Sequence, residues 1–80
     1  MKVEVRLFAL LERYLPPGAE GDTASLDVPL GTTVRDVVEL LEIPGELSCL
    51  TVVNGHDATP ELVLAPGDEV TMFPPLAGGA

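Results

Sequence analysis

Apolar and polar positions alternate strictly from Lys2 to Phe8, with Val3, Val5 and Leu7 on one side and Lys2, Glu4, Arg6 and Phe8 on the other. A period of two predicts a half-buried strand. Ala9 to Leu15 drops the alternation for helix-forming residues and stops at Pro16-Pro17-Gly18, which predicts one or two helical turns. A polar, turn-like stretch from Ala19 to Asp22 leads into Ser25 to Pro29, where Leu26 and Val28 share a face in a second strand expected to pair with the first. Val34, Val37, Val38 and Leu41 then recur at i, i+3, i+4 and i+7, one stripe of a helix. Thr32 or Thr33 supplies its N-cap, and Asp36 lies in the electropositive first turn. Pro44-Gly45 is expected to end the helix just after Ile43, leaving Arg35, Asp36, Glu39 and Glu42 in water.

Leu47 to Val53 is apolar and β-branched and predicts a third strand, ending at Asn54-Gly55, a dipeptide suited to the positive φ angles of a tight hairpin. His56 to Pro60 reads as a turn. The apolar Leu62-Val63-Leu64 runs into a second turn at Pro66-Gly67-Asp68, and Val70 to Phe73 forms the last strand before Pro74-Pro75 bars further pairing. Local strand pairs flanking a crossover helix define an α+β fold, a mixed four- to five-stranded sheet packed on one main helix plus a short helix. Residues 1–75 are expected to form one domain, with 76–80 as a flexible C-terminal tail.

Composition narrows the function more than the fold. Eighty residues and 8.4 kDa suffice for one core, with about 60% of the unfolded surface buried on folding. A hydrophobic content of 46% and mean hydropathy of +0.35 exclude disorder of the whole. A net charge of −9 repels phosphate backbones and anionic lipid, so nucleic acid and membrane are excluded as partners. The charge points to a protein partner with a basic docking surface, or serves solubility alone.

The single cysteine, Cys49, makes no intramolecular disulfide and no metal cluster, and its apolar surroundings in sequence favour an inert thiol in a reducing, cytoplasmic compartment. The first residues interleave Lys2, Glu4 and Arg6, unlike a signal peptide, and no stretch has the length of a membrane span, so the chain is expected to be cytoplasmic and complete.

Catalytic constellations are scarce. His56 stands alone, so no metal site is expected, and it reads as an exposed residue beside a hairpin turn. Asp68-Glu69 reads as a solvated turn rather than a carboxylate pair. The C-terminus is more informative. Pro74-Pro75 sets a direction, Leu76 and Ala77 offer small apolar anchors, and Gly78-Gly79 carry no side chain and would thread a narrow channel. Such an end suits delivery of a terminal carboxylate into another protein's active site, and a frayed terminus would look the same. Phe8 and Phe73 fall on the face away from the helix at the base of the tail. There they form a docking patch or cover the core's edge.

These residues resemble the ThiS/MoaD family of sulfur carriers, which have the ubiquitin-like β-grasp fold. The likeness runs through Val5 to Arg13, Gly31-Thr32-Thr33-Val34 with Val37 to Leu41, Val52-Val53-Asn54-Gly55, Gly67-Asp68-Glu69-Val70 and, most specifically, Phe73-Pro74-Pro75-Leu76-Ala77-Gly78-Gly79. Length, the short helix and the Phe-Pro-Pro base look most like MoaD, the small subunit of molybdopterin synthase. The resemblance implies a protein that catalyses nothing itself. A ubiquitin-activating-like adenylyltransferase would adenylate Gly79 with ATP, and sulfur from a sulfurtransferase persulfide would convert it to a thiocarboxylate. The tail, Leu76, Ala77 and Gly78, would then thread into the molybdopterin synthase large subunit, with Phe8, Phe73, Pro74 and Pro75 at the partner contact. No cofactor is expected to be bound stably.

Ala80 departs from the family pattern, which ends at the second glycine. A trimming protease removes it, or alanine is tolerated, or the chain does not carry sulfur. Other readings are a carrier for thiamin, tRNA thiolation, cysteine or a tungsten cofactor, a ubiquitin-like protein modifier, and a binding module without tail chemistry.

Overall fold

The computed structural model describes residues 1–44 and 50–74. Strand β1 (Lys2–Leu7) is followed by a 3₁₀ helix (Ala9–Tyr14), β2 (Thr23–Asp27), helix α1 (Val34–Leu40), β3 (Leu50–Val53), β4 (His56–Asp57) and β5 (Glu69–Phe73). The five strands form one sheet in the order β2-β1-β5-β3-β4. β1 pairs antiparallel with β2 and parallel with β5, while β3 is antiparallel to both β5 and β4. The expected mixed sheet is thus present with all five strands.

Alternation decides which side of the sheet is dry. Val3, Val5 and Leu7 of β1, Ala24 and Leu26 of β2, and Val70 and Met72 of β5 are buried, as are Val34 and Val37 of α1 and Leu41 at its C-cap, and together they make the core. Each buried Val, Leu or Met among them contributes about 1.5–3 kcal/mol. Leu11 of the 3₁₀ helix, Ile43, Val53 and Leu64 close the core's margins.

The helix opens as the sequence predicts. Thr33 is the N-cap, its Oγ1 accepting from the Asp36 N–H at 3.2 Å while Asp36 Oδ2 accepts from the Thr33 N–H at 3.0 Å, a reciprocal capping box. It ends three residues earlier than expected, at Leu40 rather than Ile43. On a continued helix Ile43 would lie about 180° from Val34 and face water. The chain reverses instead: Glu42 takes a left-handed φ of +60°, its N–H donates to Glu39 O, and the Ile43 N–H donates to Val38 O at 3.2 Å. This Schellman closure turns Ile43 into the core, where it is 6% exposed.

Other boundaries shift for local reasons. β2 begins two residues before the expected Ser25 because Glu20 and Thr23 exchange backbone hydrogen bonds across Gly21. It stops before Pro29, whose carbonyl accepts from the Thr32 N–H in a turn. β1 ends at Leu7 instead of Phe8, and β5 begins at Glu69 instead of Val70. The expected third strand is described from Leu50 onward, and Leu47 to Cys49 lie outside the described residues. Asn54 and Gly55 both have positive φ, 52° and 86°, and turn the chain into β4, so His56-Asp57 is a strand where a turn was expected.

Asp68 does more than occupy the expected solvated turn, for it also acts as a clamp. Its carboxylate accepts from the Ala65 N–H at 2.7 Å and from Asn54 Nδ2 at 2.9 Å, and Asn54 Oδ1 accepts from the Glu69 N–H at 2.9 Å. Two turns far apart in sequence are thereby tied together at the start of β5.

The left-handed Glu42 yields a prediction. Glu42→Gly relieves the steric cost of that backbone and raises stability by about 0.5–1 kcal/mol. The check is an upward shift of the urea midpoint at an unchanged slope; a lower midpoint would contradict the Schellman assignment.

Candidate docking site at the base of the tail

Parallel pairing of β1 with β5 places Leu7 opposite Met72, so the residues that follow, Phe8 and Phe73, come to lie side by side at the end of the ladder. Phe8 keeps an extended backbone (φ −105°, ψ 155°), which holds it on the face opposite the buried Leu7, and its N–H donates to Met72 O at 3.2 Å. Ala9 then takes φ +54°, a left-handed conformation uncommon for a residue with a Cβ, and turns the chain into the 3₁₀ helix. The two rings stack with centroids 5.0 Å apart and planes within 10°. Phe73 is 37% exposed, while Phe8 is half-buried rather than open, partly covered by the stack.

A third member was missed in the sequence. Leu50 pairs directly with Phe73 across the antiparallel β3–β5 ladder, so the two side chains share the outer face, and Leu50 is 66% exposed. Its parity was the available signal, since with Val53 inward, Leu50 falls outward. Phe8, Phe73 and Leu50 thus span three strands as an apolar row beside Pro74, which is half-buried. Below them Arg6, Thr71 and Val52 lie in register, and below those Glu4 faces Glu69. The outer face therefore grades from apolar at the tail end to acidic at the far end. Arg6 is held there by Asp22 Oδ1 at 3.7 Å and Thr23 Oγ1 at 3.4 Å, which offsets its charge beside the apolar row.

Pro75, Leu76, Ala77, Gly78, Gly79 and Ala80, and also Cys49, lie outside the described residues. His56 is exposed at the start of β4, and among the described residues no three His, Cys, Asp or Glu side chains gather where a metal ion could sit. No described helix is long and apolar enough to cross a membrane. Two grooves, one along Glu4, Glu20 and Ser25 and one between Tyr14 and Leu40, open to solvent. What the described residues build is an exposed apolar row at the root of the C-terminal segment.

A five-stranded mixed sheet closed by one helix, with the last strand leading into a Pro-Pro-Leu-Ala-Gly-Gly segment, defines a ubiquitin-like β-grasp protein. The ThiS family model matches residues 5–79, and the chain belongs to that family of small ubiquitin-like sulfur carriers, whose members are generally not catalytic. Among solved structures it is similar to SAMP1 from Haloferax volcanii, with 27% identity over 99% of this chain and 100% of that one and a TM-score of 0.76. It is also similar to a Pyrococcus furiosus protein assigned as molybdopterin converting factor subunit 1, with 27% identity over 94% and 98% of the two chains and a TM-score of 0.72. A chain from the complex of subunits 1 and 2 of molybdopterin-converting factor from Helicobacter pylori shares the fold, with 21% identity over 99% and 100% and a TM-score of 0.61. No curated protein matches the chain.

The stack is testable as a coupled pair. In a double-mutant cycle, Phe8→Ala and Phe73→Ala are expected to show a coupling of about 0.5–1.5 kcal/mol in urea unfolding. Strict additivity would mean that the rings contribute only by separate burial.

Proposed function

We propose that this chain is a sulfur carrier of the molybdopterin-synthase kind, acting as the small subunit and delivering sulfur on the carboxyl group of Gly79. The observation that carries this reading is the joining of the apolar row Phe8, Phe73 and Leu50 to a C-terminal segment that the family match follows to residue 79. A carboxylate is a poor electrophile. An ATP-dependent adenylyltransferase supplies the missing reactivity by making the acyl adenylate. The outer sulfur of a persulfide displaces AMP to give an acyl disulfide, and a second thiol cleaves its S–S bond, taking the donor sulfur into a new disulfide and leaving the thiocarboxylate. The Gly78 position adds no side chain to the segment that enters a partner.

Ala80 lies one residue beyond the family match. Cleavage after Gly79 exposes the carboxylate that the chemistry needs, so a trimming protease belongs with the adenylyltransferase, a sulfurtransferase and the synthase large subunit among the proposed partners. The likeness to the P. furiosus protein supports this branch. The likeness to SAMP1, a small archaeal modifier protein, supports a second reading in which the same carboxyl group is conjugated to amines on other proteins.

Intact mass of the protein from its own host separates these readings. Loss of Ala80 with one oxygen replaced by sulfur supports carriage on Gly79, whereas mass gained on other proteins supports the modifier. A full-length, oxygen-only chain that persists with adenylating enzyme and sulfur source supplied would refute both. In a pyrophosphate-release assay a chain ending at Gly79 is expected to react faster than one ending at Ala80, and equal rates would remove the need for trimming. Phe73→Ala is expected to weaken partner binding by about 2 kcal/mol or more; an unchanged Kd in the folded variant would move the contact elsewhere.

A further inference from the structure

The Asn54-Gly55 turn is used by neither the apolar row nor the tail, and it places reactive chemistry in an exposed position. Asn54 is the only carboxamide side chain in the chain, which has no glutamine and no second asparagine. Both turn residues are exposed, and the residue after Asn54 has no side chain to shield its backbone nitrogen. Both ends of the Asn54 carboxamide are nevertheless held by the start of β5, Nδ2 by Asp68 Oδ1 and Oδ1 by the Glu69 N–H, each at 2.9 Å.

We propose that Asn54 is a site of spontaneous covalent modification, deamidation through a succinimide, and that its two hydrogen bonds to β5 gate the reaction. The Gly55 nitrogen forms a bond to Asn54 Cγ and gives up its proton. The Cγ–Nδ2 bond breaks, and the nitrogen leaves as ammonia carrying that proton. Water then opens either carbonyl of the five-membered ring, giving aspartate or isoaspartate with no oxidant or reductant.

In the folded turn the carboxamide is oriented by Asp68 and Glu69 and the backbone is left-handed at both residues, so the side chain must release both bonds and rotate before the ring closes. Chemistry then proceeds only from the opened turn. Either product replaces a donating NH₂ with a carboxylate oxygen facing Asp68, and isoaspartate also lengthens the backbone of a two-residue turn. The modified chain loses the Asn54–Asp68 bond of the clamp beside β5, the strand whose other end carries Phe73.

The test uses the full chain at neutral pH and follows intact mass, where a gain of about one mass unit can come only from Asn54 among side-chain amides. Chromatography resolves the aspartate and isoaspartate forms. Deamidation is expected to be slow in the native chain, about tenfold or more faster in denaturing urea, and faster than native in folded Asp68→Ala. Equal rates in native and denatured chain, no mass gain in either, or a folded Asp68→Ala that matches the parent would each overturn the proposal. Should Asp68→Ala fail to fold, the native rate below the unfolding transition decides. A rate nearly independent of urea supports local opening of the clamp, and one rising with the full slope of global unfolding overturns it.

Discussion

The parallel pairing of β1 with β5 is the constraint on which the rest of the molecule depends. It joins residues 4–7 to residues 69–72, and every other element is arranged by it. β2 extends the sheet from the free side of β1, β3 from the free side of β5, and α1 crosses the face on which Val5, Leu7, Val70 and Met72 are all fully buried. A parallel pair cannot be closed by a short turn, so the long connection between β1 and β5 has to hold the helix and the β3–β4 hairpin. Hydrophobic matching sets the register. A slip by one residue would turn Met72 and Val70 to water and Phe73 and Thr71 into the core.

The same register produces the apolar row. Once Leu7 is opposite Met72, the next residue on each strand points outward at the same height, and two phenylalanines meet because they have nowhere else to go. The stack has two effects that would conflict for a single aromatic: it covers part of Phe8 while leaving Phe73 and Leu50 open. An aromatic surface without internal partners collapses onto a neighbour or invites aggregation. Pairing within the chain keeps the row small and ordered, and the acidic residues at the far end of the face, Glu4 and Glu69, limit its reach.

Much of this was legible in the chain itself. Strict alternation in β1 marked the core side, and the spacing of Val34, Val37, Val38 and Leu41 marked the helix, because both periods reflect burial on one face. Asn54-Gly55 announced its turn through residues that tolerate positive φ. What was not legible depended on contacts between distant segments or on a residue acting against its type. Nothing local marks Glu42 as left-handed, and only the need to bury Ile43 explains it. Asp68 looks like any turn aspartate until Asn54 arrives beside it. Leu50 gains meaning only through its partner Phe73, and the two-residue β4 exists because β3 supplies the ladder. The fold class was therefore readable from periodicity, while the clamp and the third member of the apolar row required the topology.

Rigidity at the base of the C-terminal segment follows from how that row is made. A partner that orders loose side chains loses part of its contact energy to their entropy, on the order of 0.5–1.5 kcal/mol for each one immobilised. Phe8 and Phe73 are positioned by the ladder beneath them, by the N–H of Phe8 on Met72 O, and by each other. Ala9 completes the arrangement at a cost, since its left-handed backbone is what turns the chain away immediately after Phe8. The scaffold thus sets the apolar row at the end of β5, next to Pro74.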